Sequence, residues 1–152
     1  MPAYFFDSSA LVKLYHSEAG TPLVDSLANA SGSVVRISRL TPAEVVSAFA
    51  IKVRTESIGR NDAEVLLRQF RSDIASGQLK VISVDEPEFA LAESLVGRYA
   101  FEFRLRSLDA LQLAVAINLR GRNLVDHFVA SDKILCEVAE LEGFTVINPT
   151  DS

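Results

Sequence analysis

The hydrophobic pattern breaks this chain into short runs of changing period. Ala3-Tyr4-Phe5-Phe6 is apolar and stops at Asp7, and Ser8-Ser9 leads into a helical pattern over 10–16, predicting strand, acidic turn and helix. Gly20-Thr21-Pro22 restarts a helix through Leu27, with Thr21 as N-cap and Pro22 at the first helical position. Val34-Val35-Arg36-Ile37-Ser38 predicts a second strand, and Thr41-Pro42-Ala43-Glu44 marks the start of a helix to about Ile58, closed by Gly59. Another helix opens at Asn61-Asp62 and runs to about Ser76, before a third strand that alternates from Leu79 to Val84. Residues 85–103 are helical by composition, with a bend or division expected at Gly97. A strongly apolar helix over 107–119 ends at Gly121, a fourth strand covers 127–130, a helix over 133–142 stops at Gly143, and a fifth strand covers 144–147.

Strands separated by one or two helices need crossover connections, so the expected class is α/β, with a parallel sheet flanked by helices. The 152 residues fit one domain over 1–152. A hydrophobic share of 49% with 23% charged residues excludes disorder, collagen-like repeats and coiled coil. No run approaches the roughly 20 apolar residues of a membrane span, and Asp7 interrupts the first run too early for a signal peptide, so a cytoplasmic protein without membrane contact is expected. The lone Cys136 excludes an internal disulfide and a cysteine zinc site and is expected to be a small buried hydrophobe.

A formal charge of −5 disfavours non-specific wrapping of nucleic acid, but the charge is unevenly spread. Residues 123–152 hold Lys133 against six acids, whereas residues 98–122 are locally basic through Arg98, Arg104, Arg106, Arg120 and Arg122. A polyanion can be met locally. More informative are single carboxylates that interrupt apolar sequence. Asp7 is the only charge between Met1 and Val12, Glu44 the only one from Leu40 to Ile51, and Asp109 the only one from Ser107 to Leu119, while Asp132 closes the run Phe128-Val129-Ala130. Asp7 and Asp132 follow strands, and Glu44 and Asp109 sit in first turns of helices, so all four can converge beyond the carboxyl ends of the strands. Each alone also reads as a cap or a dipole complement. Together they repel and lose hydration unless a cation sits among them. An acid-only set, with His16 and His127 scattered, favours Mg²⁺ or Mn²⁺ over zinc and suits phosphodiester hydrolysis. Neither Gly-x-x-x-x-Gly-Lys-Ser/Thr nor Gly-x-Gly-x-x-Gly is present to cradle a nucleotide.

The ordered set Phe6-Asp7-Ser8-Ser9-Ala10-Leu11-Val12-Lys13, Thr41-Pro42-Ala43-Glu44-Val45, Ser107-Leu108-Asp109-Ala110-Leu111-Gln112-Leu113-Ala114 and Val129-Ala130-Ser131-Asp132-Lys133-Ile134-Leu135 resembles the PIN-domain ribonucleases, and in length the VapC-type toxins of toxin–antitoxin pairs. That resemblance implies a PIN-like fold with a five-stranded parallel sheet of order 3-2-1-4-5, an Mg²⁺- or Mn²⁺-dependent endoribonuclease, an RNA substrate, a homodimer and a small antitoxin partner. It implies Asp7, Glu44, Asp109 and Asp132 as catalytic metal-site acids, with Ser9 in support. The family often has Thr or Ser two residues before the last acid, where this chain has Ala130, with Ser131 next to Asp132 instead. Lys13, Arg36, Arg39 and Arg106, each near a site element in sequence, are candidates for RNA contact, and each taken singly reads first as a solvated charge. Two alternatives stay open: a PIN nuclease of RNA processing or decay without an antitoxin, and a non-catalytic PIN-fold binding module.

Overall fold

The computed structural model describes residues 2–151. Met1 and Ser152, the ends of the expected 1–152 domain, lie outside the described residues. The elements in chain order are β1 (Ala3–Phe6), α1 (Ser8–Leu11) with a 3-10 turn (Val12–Leu14), α2 (Thr21–Asn29), β2 (Val34–Ser38), α3 (Thr41–Arg54), α4 (Arg60–Ala75), β3 (Leu79–Ile82), α5 (Glu86–Tyr99), α6 (Ser107–Gly121), β4 (His127–Val129), α7 (Lys133–Leu141) and β5 (Thr145–Ile147). The strands form one sheet of order β3-β2-β1-β4-β5, and every pair is parallel. This is the α/β architecture and strand order expected.

Strand alternation sends neighbouring side chains to opposite faces and so builds two cores. Phe5 and Phe128 stack at 5.7 Å on one face, packed with Leu95, Leu105, Leu113 and Phe144. Tyr4, Phe6 and Val129 join Leu11, Ile37, Val45, Phe49 and Phe70 on the other. Helix α6 is buried almost all round, from Asp109 to Ala116 and again at Leu119, which explains its apolar sequence.

Several boundaries differ from the expected ones, each for a local reason. Gly20, not Thr21, caps α2, because the Thr21 hydroxyl donates to the Lys13 carbonyl and accepts from the Glu18 N–H. Leu40, not Thr41, precedes α3, and Thr41 is fully buried against Gln112. Helix α3 ends at Arg54 because the chain turns at Glu56, which has φ 63°. Helix α5 passes unbroken through Gly97 and stops at Tyr99, short of Phe103. It starts in a capping box between Asp85 and Glu88. Among the described residues, no helix is long and apolar enough to cross a membrane.

Candidate active site

Strand order reverses at β1, which has β2 on one side and β4 on the other. A crevice forms at such a switch point beyond the strand ends. Here a cavity of about 510 Å³ opens, lined by Asp7, Ser8, Ser9, Glu44, Arg106, Leu108, Asp109 and Asp132 among others. All four expected acids therefore line one cavity. A separate hollow of about 380 Å³ between α3 and α4, lined by Val46, Phe49, Ala50, Val53 and Leu67 with Arg54, Arg60 and Glu64, contains none of them.

Asp7 leaves β1 as the N-cap of α1, its carboxylate accepting from the Ala10 N–H at 3.3 Å and from Ser9 Oγ at 2.5 Å. Ser9 Oγ also accepts from the Ser131 N–H at 2.9 Å, so one hydroxyl ties the end of β1 to the turn after β4. Burial, opposed by the two hydrogen bonds and helped by the charges of Asp109 and Glu44, pushes the Asp7 carboxyl up to about 7. Asp132 caps α7 by accepting from the Leu135 N–H at 2.9 Å. Both aspartates thus cap helices and line the cavity at once.

Glu44 makes no capping box. Its Oε1 accepts from Ser8 Oγ and from Gln112 Nε2, each at 2.6 Å. Gln112, 1% exposed, also donates toward Thr41 Oγ1 at 3.1 Å and Ser8 Oγ at 3.3 Å, while its own Oε1 is buried without a partner among the described residues. Sequence reasoning missed both Gln112 and Ser8. The available signal was a polar residue in the apolar run of α6, one turn beyond Asp109. Asp109, 7% exposed, is gripped by Arg106, with Nε at 2.9 Å from Oδ2 and Nη2 at 3.4 Å from Oδ1. The same Nη2 lies 4.0 Å from Asp132 Oδ2.

The other basic candidates stand elsewhere. Arg36 donates to the Leu124 carbonyl at 2.6 Å. Arg39 is exposed, with its backbone N–H bonded to Ile82. Lys13 is buried and paired with Glu18 at 3.0 Å, and Lys52 holds the other Glu18 oxygen at 2.9 Å. Of the four, only Arg106 lines the cavity. Cys136 is buried beneath the site, its thiol donating to the Ala130 carbonyl and pushed up to about 12 by burial, so it behaves as the inert hydrophobe expected.

The oxygen-only donor set fits a hard divalent ion in kind. Among the described residues, however, no three acids are gathered as a finished ligand shell. Glu44 is drawn toward Ser8 and Gln112, and Asp109 toward Arg106.

The family model described as PIN domain matches residues 4–147, which reach every strand and include all four acids. The chain belongs to the PIN-domain family. This PIN domain is 29% identical over 125 residues to "Ribonuclease VapC45" of Mycobacterium tuberculosis (strain CDC 1551 / Oshkosh), covering 82% of each chain. Its fold matches the crystal structure of M. tuberculosis VapC20, a sarcin-ricin loop cleaving toxin, at TM-score 0.67 and 20% identity, covering 96% of this chain and 99% of that one. It also matches a chain of a toxin–antitoxin complex from Klebsiella pneumoniae at TM-score 0.63 and 15% identity, covering 98% and 99%.

Proposed function

We propose that this PIN domain is a divalent-metal-dependent endoribonuclease, the toxin of a toxin–antitoxin pair, acting as a homodimer held in check by a small antitoxin. The observation that carries the reading is the convergence of Asp7, Glu44, Asp109 and Asp132, from four separate segments, on one cavity at the sheet's switch point. The names of its relatives support RNA as substrate and an antitoxin as partner.

Asp7, Glu44, Asp109 and Asp132 would hold the ion. When bound, Mg²⁺ or Mn²⁺ would neutralise these carboxylates and polarise the scissile phosphate. The chain itself does the rest. Ser9 fixes the Asp7 carboxylate and the Ser131 backbone in one arrangement, and Gln112 with Ser8 fixes Glu44. Such preorganisation spares reorganisation during reaction.

The test is cleavage of a structured RNA by purified protein in Mg²⁺ or Mn²⁺ and in EDTA, with Asp7→Asn and Asp109→Asn as controls. Cleavage that needs the ion and both aspartates is expected, with the variants still folded. Undiminished cleavage in EDTA would overturn the metal site. Harmless expression of a wild-type chain that cleaves RNA in vitro would remove the toxin and leave a processing nuclease.

A further inference from the structure

We propose that Arg106 is a built-in counter-ion of the acidic cavity, competing with the divalent cation for Asp109 and Asp132. The inference rests on the metal-nuclease reading above. Arg106 is the only cationic side chain lining the cavity among the described residues. It precedes α6 without capping it, and its guanidinium folds back to engage both oxygens of Asp109 three residues on. One oxygen of Asp132 is committed to the Leu135 N–H, and the other faces Arg106 Nη2. Asp109 cannot turn both oxygens to a metal while Arg106 stays in place, and the free oxygen of Asp132 stands beside the same guanidinium.

The two partners differ sharply in exposure, the Arg106 side chain being 71% exposed and that of Asp109 11%. A mostly exposed cation is held weakly, since a solvated ion pair gains little over its separated members. A divalent ion can therefore dislodge it, and four carboxylates sharing one cavity favour the doubly charged occupant. Guanidinium stays charged at any pH the protein tolerates, so Arg106 leaves by displacement and not by losing its proton.

The experiment is Mn²⁺ titration by calorimetry, paired with thermal melts in EDTA and in Mn²⁺, on wild type, Arg106→Gln and Arg106→Lys. Arg106→Gln is expected to bind Mn²⁺ about two- to fivefold more tightly, the range of a solvated ion pair. Its melting temperature should fall in EDTA, where Asp109 has lost its partner, yet rise more than wild type on adding Mn²⁺. Arg106→Lys, which keeps the charge and loses the fork, should lie between them. A merely structural Arg106 would lower both melts and leave affinity unchanged. Equal or weaker Mn²⁺ binding by Arg106→Gln overturns this proposal alone. No Mn²⁺ binding by either protein overturns it together with the metal-nuclease reading.

Discussion

At the scale of the residue, Asp7 is where folding and function oppose each other. An aspartate whose carboxyl is raised from 3.8 to about 7 binds its proton more tightly folded than unfolded. Folded stability from this group is therefore greatest at low pH and is lost as pH rises from about 4 through 7. In EDTA, urea melts should show this loss, and Asp7→Asn should flatten it and raise stability at pH 8 while abolishing RNA cleavage. Gln112 gives a second prediction. Gln112→Leu removes the donor that fixes Glu44, so cleavage should fall at least tenfold, by analogy with loss of a preorganised donor, and stability by about 1–3 kcal/mol, read by cleavage kinetics and urea melts. The four acids were legible because Asp7, Glu44 and Asp109 are each the only charge in an apolar stretch and Asp132 closes another. Gln112 and Ser8 were not, since their bonds to Glu44 and to each other join positions up to 104 residues apart. Nor could sequence separate Arg36 from Arg106. One is spent on a backbone carbonyl and the other reaches the cavity, and both simply adjoin a site element.

At the scale of the element, strands and helices were legible from period and punctuation, and their ends much less so. Thr21 and Thr41 both carry the chemistry of an N-cap, but tertiary partners claim their hydroxyls and move each start by one residue. Glycines illustrate the same limit. Gly20 has φ +94°, and a Cβ there would lie 2.9 Å from Pro149 Cβ and from its carbonyl oxygen. Gly97 sits inside α5 with open space around its missing Cβ. Gly20→Ala is therefore expected to cost more than about 1 kcal/mol, whereas Gly97→Ala should stabilise by about 0.5–1 kcal/mol, both measured by denaturant midpoint. Sequence alone does not separate Gly20 from Gly97, and the expected division of α5 at Gly97 is absent.

At the scale of the whole molecule, alternation of strands and helices made a parallel sheet legible, whereas the order 3-2-1-4-5 was implied by resemblance to a family. No local pattern says which strand lies beside which. If the molecule is a toxin, its expression alone in bacteria should arrest growth, co-expression of the neighbouring gene product should relieve the arrest, and Asp7→Asn should be harmless; colony counts read all three. The bond from the Ser131 N–H to Ser9 Oγ spans 122 positions, and the cavity needs Asp132 as well as Asp7. During synthesis Asp7 leaves the ribosome before Asp132 and waits, without its sheet neighbour β4 or the hydroxyl tie, until the residues between them have emerged. A nuclease assembled in this way cannot act before its own chain has been made at least as far as Asp132.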